Sequence, residues 1–396
     1  MNSTAEQSAV ADAIPFDVDR LDRLMEEMDI DVLLATSKHN VQYLLGGHRP
    51  LFFEHMDATG LGRYMPVLVY PKGQADKAAY IGHRLESFQK AFESFWTPEV
   101  QMVSAYSDDA MQKALGYVAK AGIRANRVAV EKAFLPVDAG AVLETSPISG
   151  DCIDAHFLLE RLRAVKRPYE LALLSKASEL VIDAMLATIA EHGPGATTHE
   201  ITDTLKREEV GRGLDFDYCL ITAGRSLNRA PSTQTWDEGE ILSLDSGGNY
   251  HGYIGDVTRM AIHGEPDAEL EDLLGEIEDI QRAAMKPVRA GVIGREIYTA
   301  AEALTHRSKQ HNHLQFLAHG MGLTSHEAPR LTSKGPVPYD GYDEDRPLEA
   351  DMIVSVETTL QHPQRGFIKL EDTLAVTDGG YEIYGEGGRG WNRGGR

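Results

Sequence analysis

A chain of 396 residues with 61 acidic against 39 basic side chains carries a net charge of −22, which excludes the basic face that a nucleic-acid binder needs. Cys152 and Cys219 are its only cysteines, too few for a disulfide framework or a thiolate zinc site, and this fits a reducing cytoplasm. Hydrophobic residues make up 42%, enough for the cores of two or three domains, yet no run approaches the ~18 apolar residues of a membrane span, and residues 1–15 read as a short, flexible polar tail rather than a signal peptide.

Asp17–Met28 places Leu21, Leu24, Met25 and Met28 on one side of a helix. Asp31–Thr36 reads as a buried strand, and Asn40–Leu45 leads into a Gly46-Gly47 turn. Met65–Tyr70 and Ala78–Ile81 pair as strands around Pro71-Lys72-Gly73. Ser107–Ala121 is helical, Arg127–Glu131 is a further strand and Val137–Glu144 a further helix. This alternation predicts an α/β domain, and it contains neither a phosphate loop nor a dinucleotide fingerprint. The basic stretch from Arg161 to Arg167 reads as a solvated linker at a domain boundary near residue 165. Pro168 suits a first helical position, and Leu174, Ala177, Val181, Met185 and Ile189 form an apolar stripe ending at His192-Gly193-Pro194-Gly195. A faint repeat follows. The helix before Gly193 leads to a new one at Thr198–Ile201, as the helix before Gly291 leads to one at Gly294–Ile297.

Ile241–Ile262 reads as a β-hairpin with its turn at Gly247-Gly248-Asn249. Period two places Asp245 on one strand face and Asp256 on the corresponding face of its partner, so two carboxylates come together in an apolar sheet. They cannot both stay ionised there without a proton or a cation between them. Later stretches supply more ligands: His319 in a Gly-rich run, Glu357 at the end of an alternating strand and Glu371 within another. Four carboxylates and one imidazole form a hard set suited to Mn²⁺, Fe²⁺ or Co²⁺. His311 and His313 read as a solvated helix end. The Gly-rich stretch from Gly385 to Arg393 reads as flexible, with Trp391 docked on the body or on a partner subunit.

The order Asp245, Asp256, His319, Glu357, Glu371 resembles the pita-bread metallohydrolases, peptidase family M24, which include methionine aminopeptidase, aminopeptidase P, prolidase and creatinase. The Asp-x10-Asp spacing, the run His319-Gly-Met-Gly-Leu-Thr-Ser-His326-Glu327 and Glu371-Asp372-Thr373 carry the likeness over about residues 165–380. The first half, with Asn40-x-x-Tyr43-Leu44, is similar to the creatinase-type N-terminal domain. The resemblance implies an α/β creatinase-like domain over 1–165 followed by an α+β pita-bread catalytic domain over 166–396. It implies a homodimer acting on a small peptide or small amide, with no nucleic acid and no membrane. It also implies two divalent ions, Mn²⁺ first and Co²⁺, Fe²⁺ or Zn²⁺ as alternatives, roughly 3.5–4 Å apart and bridged by the attacking hydroxide.

In that scheme Asp245 chelates one ion, His319 and Glu357 bind the other, and Asp256 and Glu371 bridge both. Glu357 also shuttles the proton, and His326 polarises the substrate carbonyl. Lys369 stands where aminopeptidase P-like relatives often carry Arg. It either anchors a substrate carboxylate or pairs with Glu357 or Asp372. Ser232 and Gln315 stand where the peptidases usually have substrate-facing histidines, and Glu357-Thr-Thr replaces Glu-Pro-Gly. Xaa-Pro peptide hydrolysis is the expected activity. A cyclic amide or amidine hydrolase of the ectoine hydrolase kind, a sulfonium lyase and a non-catalytic binding protein on the same scaffold are the alternatives.

Overall fold

Short runs of fully buried aliphatic residues, Val32–Ala35 (β1) and Val67–Pro71 (β2) among them, build the sheet of the first half. β1 and β2 pair antiparallel, as do β2 and Ala79–His83 (β3). Glu99–Ser104 (β4), Arg127–Val130 (β5) and Asp151–Asp154 (β6) join in parallel, giving the order β4-β3-β2-β1-β5-β6. Helix Val18–Glu27 (α1) is capped by Asp17 and buries Leu21 and Met25, as its spacing requires. Asn40–Leu45 leads into a turn at Gly46-Gly47, whose φ angles are 71° and 105°. It lies mostly in a helix, Lys38–Leu44 (α2), whose start is fixed by the Ser37 cap and by Glu131, which accepts from the Thr36 and Ser37 amides.

The computed structural model describes residues 14–92, 94–147, 150–335 and 339–395, in two units that meet between Leu162 and Arg163. Residues 1–13 of the expected polar tail lie outside the described residues, while Ile14 is buried. No helix among the described residues is long and apolar enough to cross a membrane.

The second unit opens with Pro168–Glu191 (α3), Pro at its first position and its predicted stripe buried. The short strand Ala196–Thr197 (β7) and helix Thr198–Gly211 (α4) follow, then Asp215–Ala223 (β8), Thr235–Trp236 (β9) and the hairpin Ile241–Tyr250 (β10) and Tyr253–Ile262 (β11). Ala268–Met285 (α5) and Arg295–Thr305 (α6) repeat the helix pair. Leu314–Gly320 (β12), Ile353–His362 (β13) and Gly366–Val376 (β14) complete a sheet path β12-β13-β14-β11-β10-β8. Leu242, Leu244, Val257 and Ala261 pack with Val181, Met185 and Ile201 of the helices, so Asp245 and Asp256 are left to the opposite face.

Three expectations need correction. The hairpin turn lies at His251-Gly252, with φ 52° and 97°, the two positive angles of a type I′ turn. Gly247 and Gly248 are instead strand residues, glycines because a Cβ would lie 2.4 Å from the Tyr218 ring at one and 2.7 Å from Val181 at the other. The basic stretch is no solvated linker: Arg163 and Lys166 are buried and paired with Glu327. The C-terminal segment is not loose. The buried Arg259 guanidinium donates to the Gly385 and Gly387 carbonyls, Asn392 and Arg393 pair with β11, and Trp391 docks on the body beside Leu270.

Behind Asp245, the single proton of Ser246 Oγ lies between the Tyr218 carbonyl at 2.7 Å and Glu209 Oε1 at 2.8 Å. A carbonyl can only accept, so the Glu209 carboxyl donates and is neutral. Burial agrees, pushing Glu209 up to about 8 from 4.5. The folded chain therefore holds a proton that the unfolded chain gives up at its ordinary value. The wild type should lose roughly 5 kcal/mol of stability relative to Glu209→Gln as pH rises from about 4.5 to about 8. Urea unfolding at pH 5 and pH 8.5 reads this difference, and parallel pH curves would mean that the carboxylate is charged.

Candidate metal centre

Strand register assembles the site. Leu317, Glu357, Glu371, Thr258 and Asp245 stand side by side across β12, β13, β14, β11 and β10. His319 stands opposite Ser355, two residues along from Leu317 and Glu357, and Asp256 stands opposite Gly247. Residues two apart on a strand share a face, so all five expected ligands meet on one side of the sheet. All but Glu357 are fully buried, and it is half-buried.

Glu371 is the centre of the group. Its Oε1 accepts from Ser355 Oγ at 2.8 Å and its Oε2 from Thr258 Oγ1 at 3.1 Å. Ligand atoms of Asp256, His319 and Glu371 all lie within 4.8 Å of one another. His319 Nδ1 donates to the Gly320 carbonyl at 3.1 Å and Nε2 is turned toward Glu371; burial opposes charge on the ring, but Glu371 and then Glu357 raise its pKa. That Nε2 lies 3.5 Å from Glu371 Oε1 with no hydrogen-bond partner. Burial, then Glu371 and Asp245, push the Asp256 carboxyl well above the usual carboxylate range. A buried imidazole nitrogen facing crowded carboxylates is a donor set for a divalent cation.

Of the two candidate partners within the chain, Lys369 meets Glu357. Its ammonium pairs with Glu357, and lies 2.7 Å from Asp245 Oδ2 and 2.8 Å from Glu371 Oε2. Burial opposes its charge, but these carboxylates hold its pKa well above the ordinary lysine value. Asp372 points the other way and is taken by Arg259 and Arg389.

A cavity of about 710 Å³ opens over this face, lined by Tyr218, Arg229, Gln315, His326, Lys334 and Phe367 as well as the ligands. His326 stacks on His319 with ring centroids 3.8 Å apart. Burial and then the neighbouring His319 lower His326 to about 3, so its ring is neutral, and its Nδ1 has no partner. Gln315 reaches the cavity but Ser232 does not. Ser232 ties a turn to the start of α4 through Thr198, whose Oγ1 accepts from the Ser232 amide at 2.8 Å.

Two cavity residues escaped the sequence. Arg229, three positions before Ser232, pairs with Asp245 and lies 5.0 Å over the Phe367 ring. Tyr218 lines the cavity beside Asp256, its ring fitted over Gly247. The alternation of Asp215-Phe-Asp-Tyr-Cys-Leu was the available signal for Tyr218. A hydroxyl that orients a ligand is worth 10–100-fold in activity. Tyr218→Phe should lower kcat/KM by about that factor without unfolding the chain, checked by steady-state kinetics and circular dichroism.

Residues 172–378 match the model of metallopeptidase family M24, and residues 18–165 match the creatinase/prolidase N-terminal domain. The chain belongs to metallopeptidase family M24. The matched M24 segment holds all five expected ligands. A Xaa-Pro dipeptidase of Pyrococcus horikoshii is 23% identical over 375 residues, covering 92% of this chain and 95% of that one. The fold is that of an X-Pro aminopeptidase from Thermotoga maritima, TM-score 0.76 at 20% identity over 95% and 99% of the two chains. Dipeptidase PepE from Mycobacterium ulcerans is similar too, TM-score 0.75 at 21% identity over 96% and 97%.

Proposed function

We propose that this chain is a metal-dependent peptidase of the Xaa-Pro type, cleaving an amide C–N bond of small peptides, as a homodimer in the cytoplasm. The carrying observation is the gathering of four carboxylates and the unpartnered His319 Nε2 on the floor of one cavity. The names of the Pyrococcus and Thermotoga relatives support the peptide substrate. The presence of only two cysteines supports the compartment. The division of labour is a creatinase-type domain over 1–165 and a catalytic domain over 166–396, a reading supported by the matches over 18–165 and 172–378.

Asp245, Asp256, His319, Glu357 and Glu371 fit divalent ions, Mn²⁺ first by the hardness of the set, then Co²⁺, Fe²⁺ or Zn²⁺. Such ions supply Lewis acidity toward a carbonyl and acidify water. His326, neutral and stacked beside the centre, can donate a hydrogen bond to the carbonyl oxygen as charge develops there. Burial raises the Glu357 pKa although Lys369 opposes it, so this carboxylate is suited to take a proton from water and pass it to the leaving nitrogen.

The test is a hydrolysis screen of metal-stripped protein reloaded with each ion, against Xaa-Pro dipeptides, longer Xaa-Pro peptides and cyclic amides including ectoine. Cleavage of Xaa-Pro bonds is the expected result. Turnover of a cyclic amide alone would transfer the function to a small metabolite. An inert protein with metal bound would overturn the hydrolase reading.

A further inference from the structure

The sheet of the catalytic unit is joined along a narrow seam. β10 and β11 pair over ten positions, and so do β13 and β14, but β11 and β14 pair at one, Thr258 with Glu371. The seam divides the expected ligands. Asp245 and Asp256 stand on one side of it, and His319, Glu357 and Glu371 on the other. Strands are held together by their ladder of hydrogen bonds, and one pair leaves β11 and β14 free to splay. The separation of the two ligand sets therefore needs another fastening.

The end of the chain supplies one. Tyr381–Tyr384 (β15) pairs with β14 on one side of the seam, and Asn392–Arg393 (β16) pairs with β11 on the other. The residues between them pass from one half to the other. Arg259 of β11 donates to the Glu371 carbonyl and to Asp372 Oδ1 of β14, each at 2.9 Å, and to the Gly385 carbonyl at 2.7 Å. Arg389 takes the other Asp372 oxygen and donates to Gln281 Oε1 of α5 at 2.7 Å. The buried Asp372 is thus gripped from β11 by one guanidinium and from the chain's end by the other. Asn392 Nδ2 donates to the Met260 carbonyl at 2.9 Å, and the Gly394 amide to that of Ile262 at 3.1 Å. Trp391 shares one buried cluster with Met260 and Ile262 of β11 and with Ile368 and Leu370 of β14. The M24 match ends at residue 378, so it does not account for this segment.

We propose that residues 385–394 are a clasp that closes the seam from behind, and that Arg389 is a positioning residue for the site in front. Neighbouring residues on a strand point to opposite sides, so a hold on Asp372 from behind fixes the backbone that presents Glu371. Arg389 acts on the site only through Asp372. The positioning role rests on the function proposed above, while the clasp itself does not.

The full-length protein is compared with Arg389→Gln, Arg389→Lys and a chain ended after Gly388, which keeps the Gly385 and Gly387 carbonyls for Arg259. Hydrogen exchange of the metal-free proteins is read strand by strand. Amides of β11 and β14 should exchange about tenfold faster in Arg389→Gln and in the shortened chain, while those of β8 and β12 keep the wild-type rate. In metal-loaded protein Arg389→Gln should lower kcat by about 10–100-fold with KM within about threefold, and Arg389→Lys, which keeps a cation beside Asp372, should recover most of the loss. Wild-type exchange at β11 and β14 in both Arg389→Gln and the shortened chain would overturn the clasp. Faster exchange spread evenly over the catalytic unit, with kcat unchanged, would overturn the positioning role. A wild type that hydrolyses no substrate would remove the peptidase reading, and the exchange comparison would still decide the clasp. Arg389→Gln is decisive if the shortened chain does not fold, since Asp372 keeps Arg259 in that variant.

Discussion

Glu371→Ala should leave a folded protein that binds little metal and has lost on the order of 10³-fold or more in kcat/KM, since even partners of metal ligands are worth 10–100-fold. Glu371 stands at the centre of the row of side chains and beside His319, so its loss opens the cluster from which a cation would be held. Burial opposes its ionisation, but Lys369 and then His319 hold it well below the usual carboxylate range, so the charge is present at neutral pH. The fold should survive. Lys369 keeps Asp245 and Glu357 as partners, and Glu371 itself lines the cavity, so water can take the place of its carboxylate beside Ser355 and Thr258. Metal content by mass spectrometry and steady-state kinetics check the loss, and thermal unfolding checks the fold. Full activity in this variant would remove Glu371 from the site and with it the assembly described above.

Much of this centre was legible because strand periodicity is local. Asp245, Asp256, Glu357 and Glu371 each sit in an alternating run, and period two alone says which neighbours share a face. What was not legible depends on contacts between distant positions. Gly247 and Gly248 read as a turn because glycine favours turns, but their small size serves the Tyr218 ring and Val181, at 29 and 67 residues' separation. Arg163 and Lys166 read as solvated because lone basic residues usually are, and their buried partner Glu327 is more than 160 residues away. The Gly-rich end read as loose because composition does not show that the Gly385 and Gly387 carbonyls satisfy a fully buried Arg259. Arg229 had no pattern at all, since its role comes from pairing with Asp245 and lying over Phe367.

Glu327→Gln should be among the most destabilising single changes in the catalytic unit. Glu327 is 1% exposed and accepts from Arg163 Nη2 at 3.0 Å and Lys166 Nζ at 2.7 Å. Burial alone would raise its pKa, but these two cations lower it to about 2 from 4.5. A depressed acid contributes stability above its unfolded pKa and loses it as pH falls through the folded one. Roughly 3 kcal/mol should therefore disappear between about pH 4.5 and about pH 2 in the wild type and not in the variant. At neutral pH the amide removes a counter-charge that two buried cations share, which costs about 3–5 kcal/mol, or roughly 10 °C in Tm for a unit of this size. Activity should fall about tenfold as well, because the Glu327 amide is bonded to the Gly320 carbonyl, and this bridge holds His326 against His319. Replacing all three charges together, Arg163→Met, Lys166→Met and Glu327→Met, separates packing from charge. It should recover most of the lost stability, since the acid and the two cations that share it are removed together. A triple variant as unstable as Glu327→Gln would show that the ion cluster itself, rather than the penalty of breaking it, holds the start of the catalytic unit to the strand that carries His319.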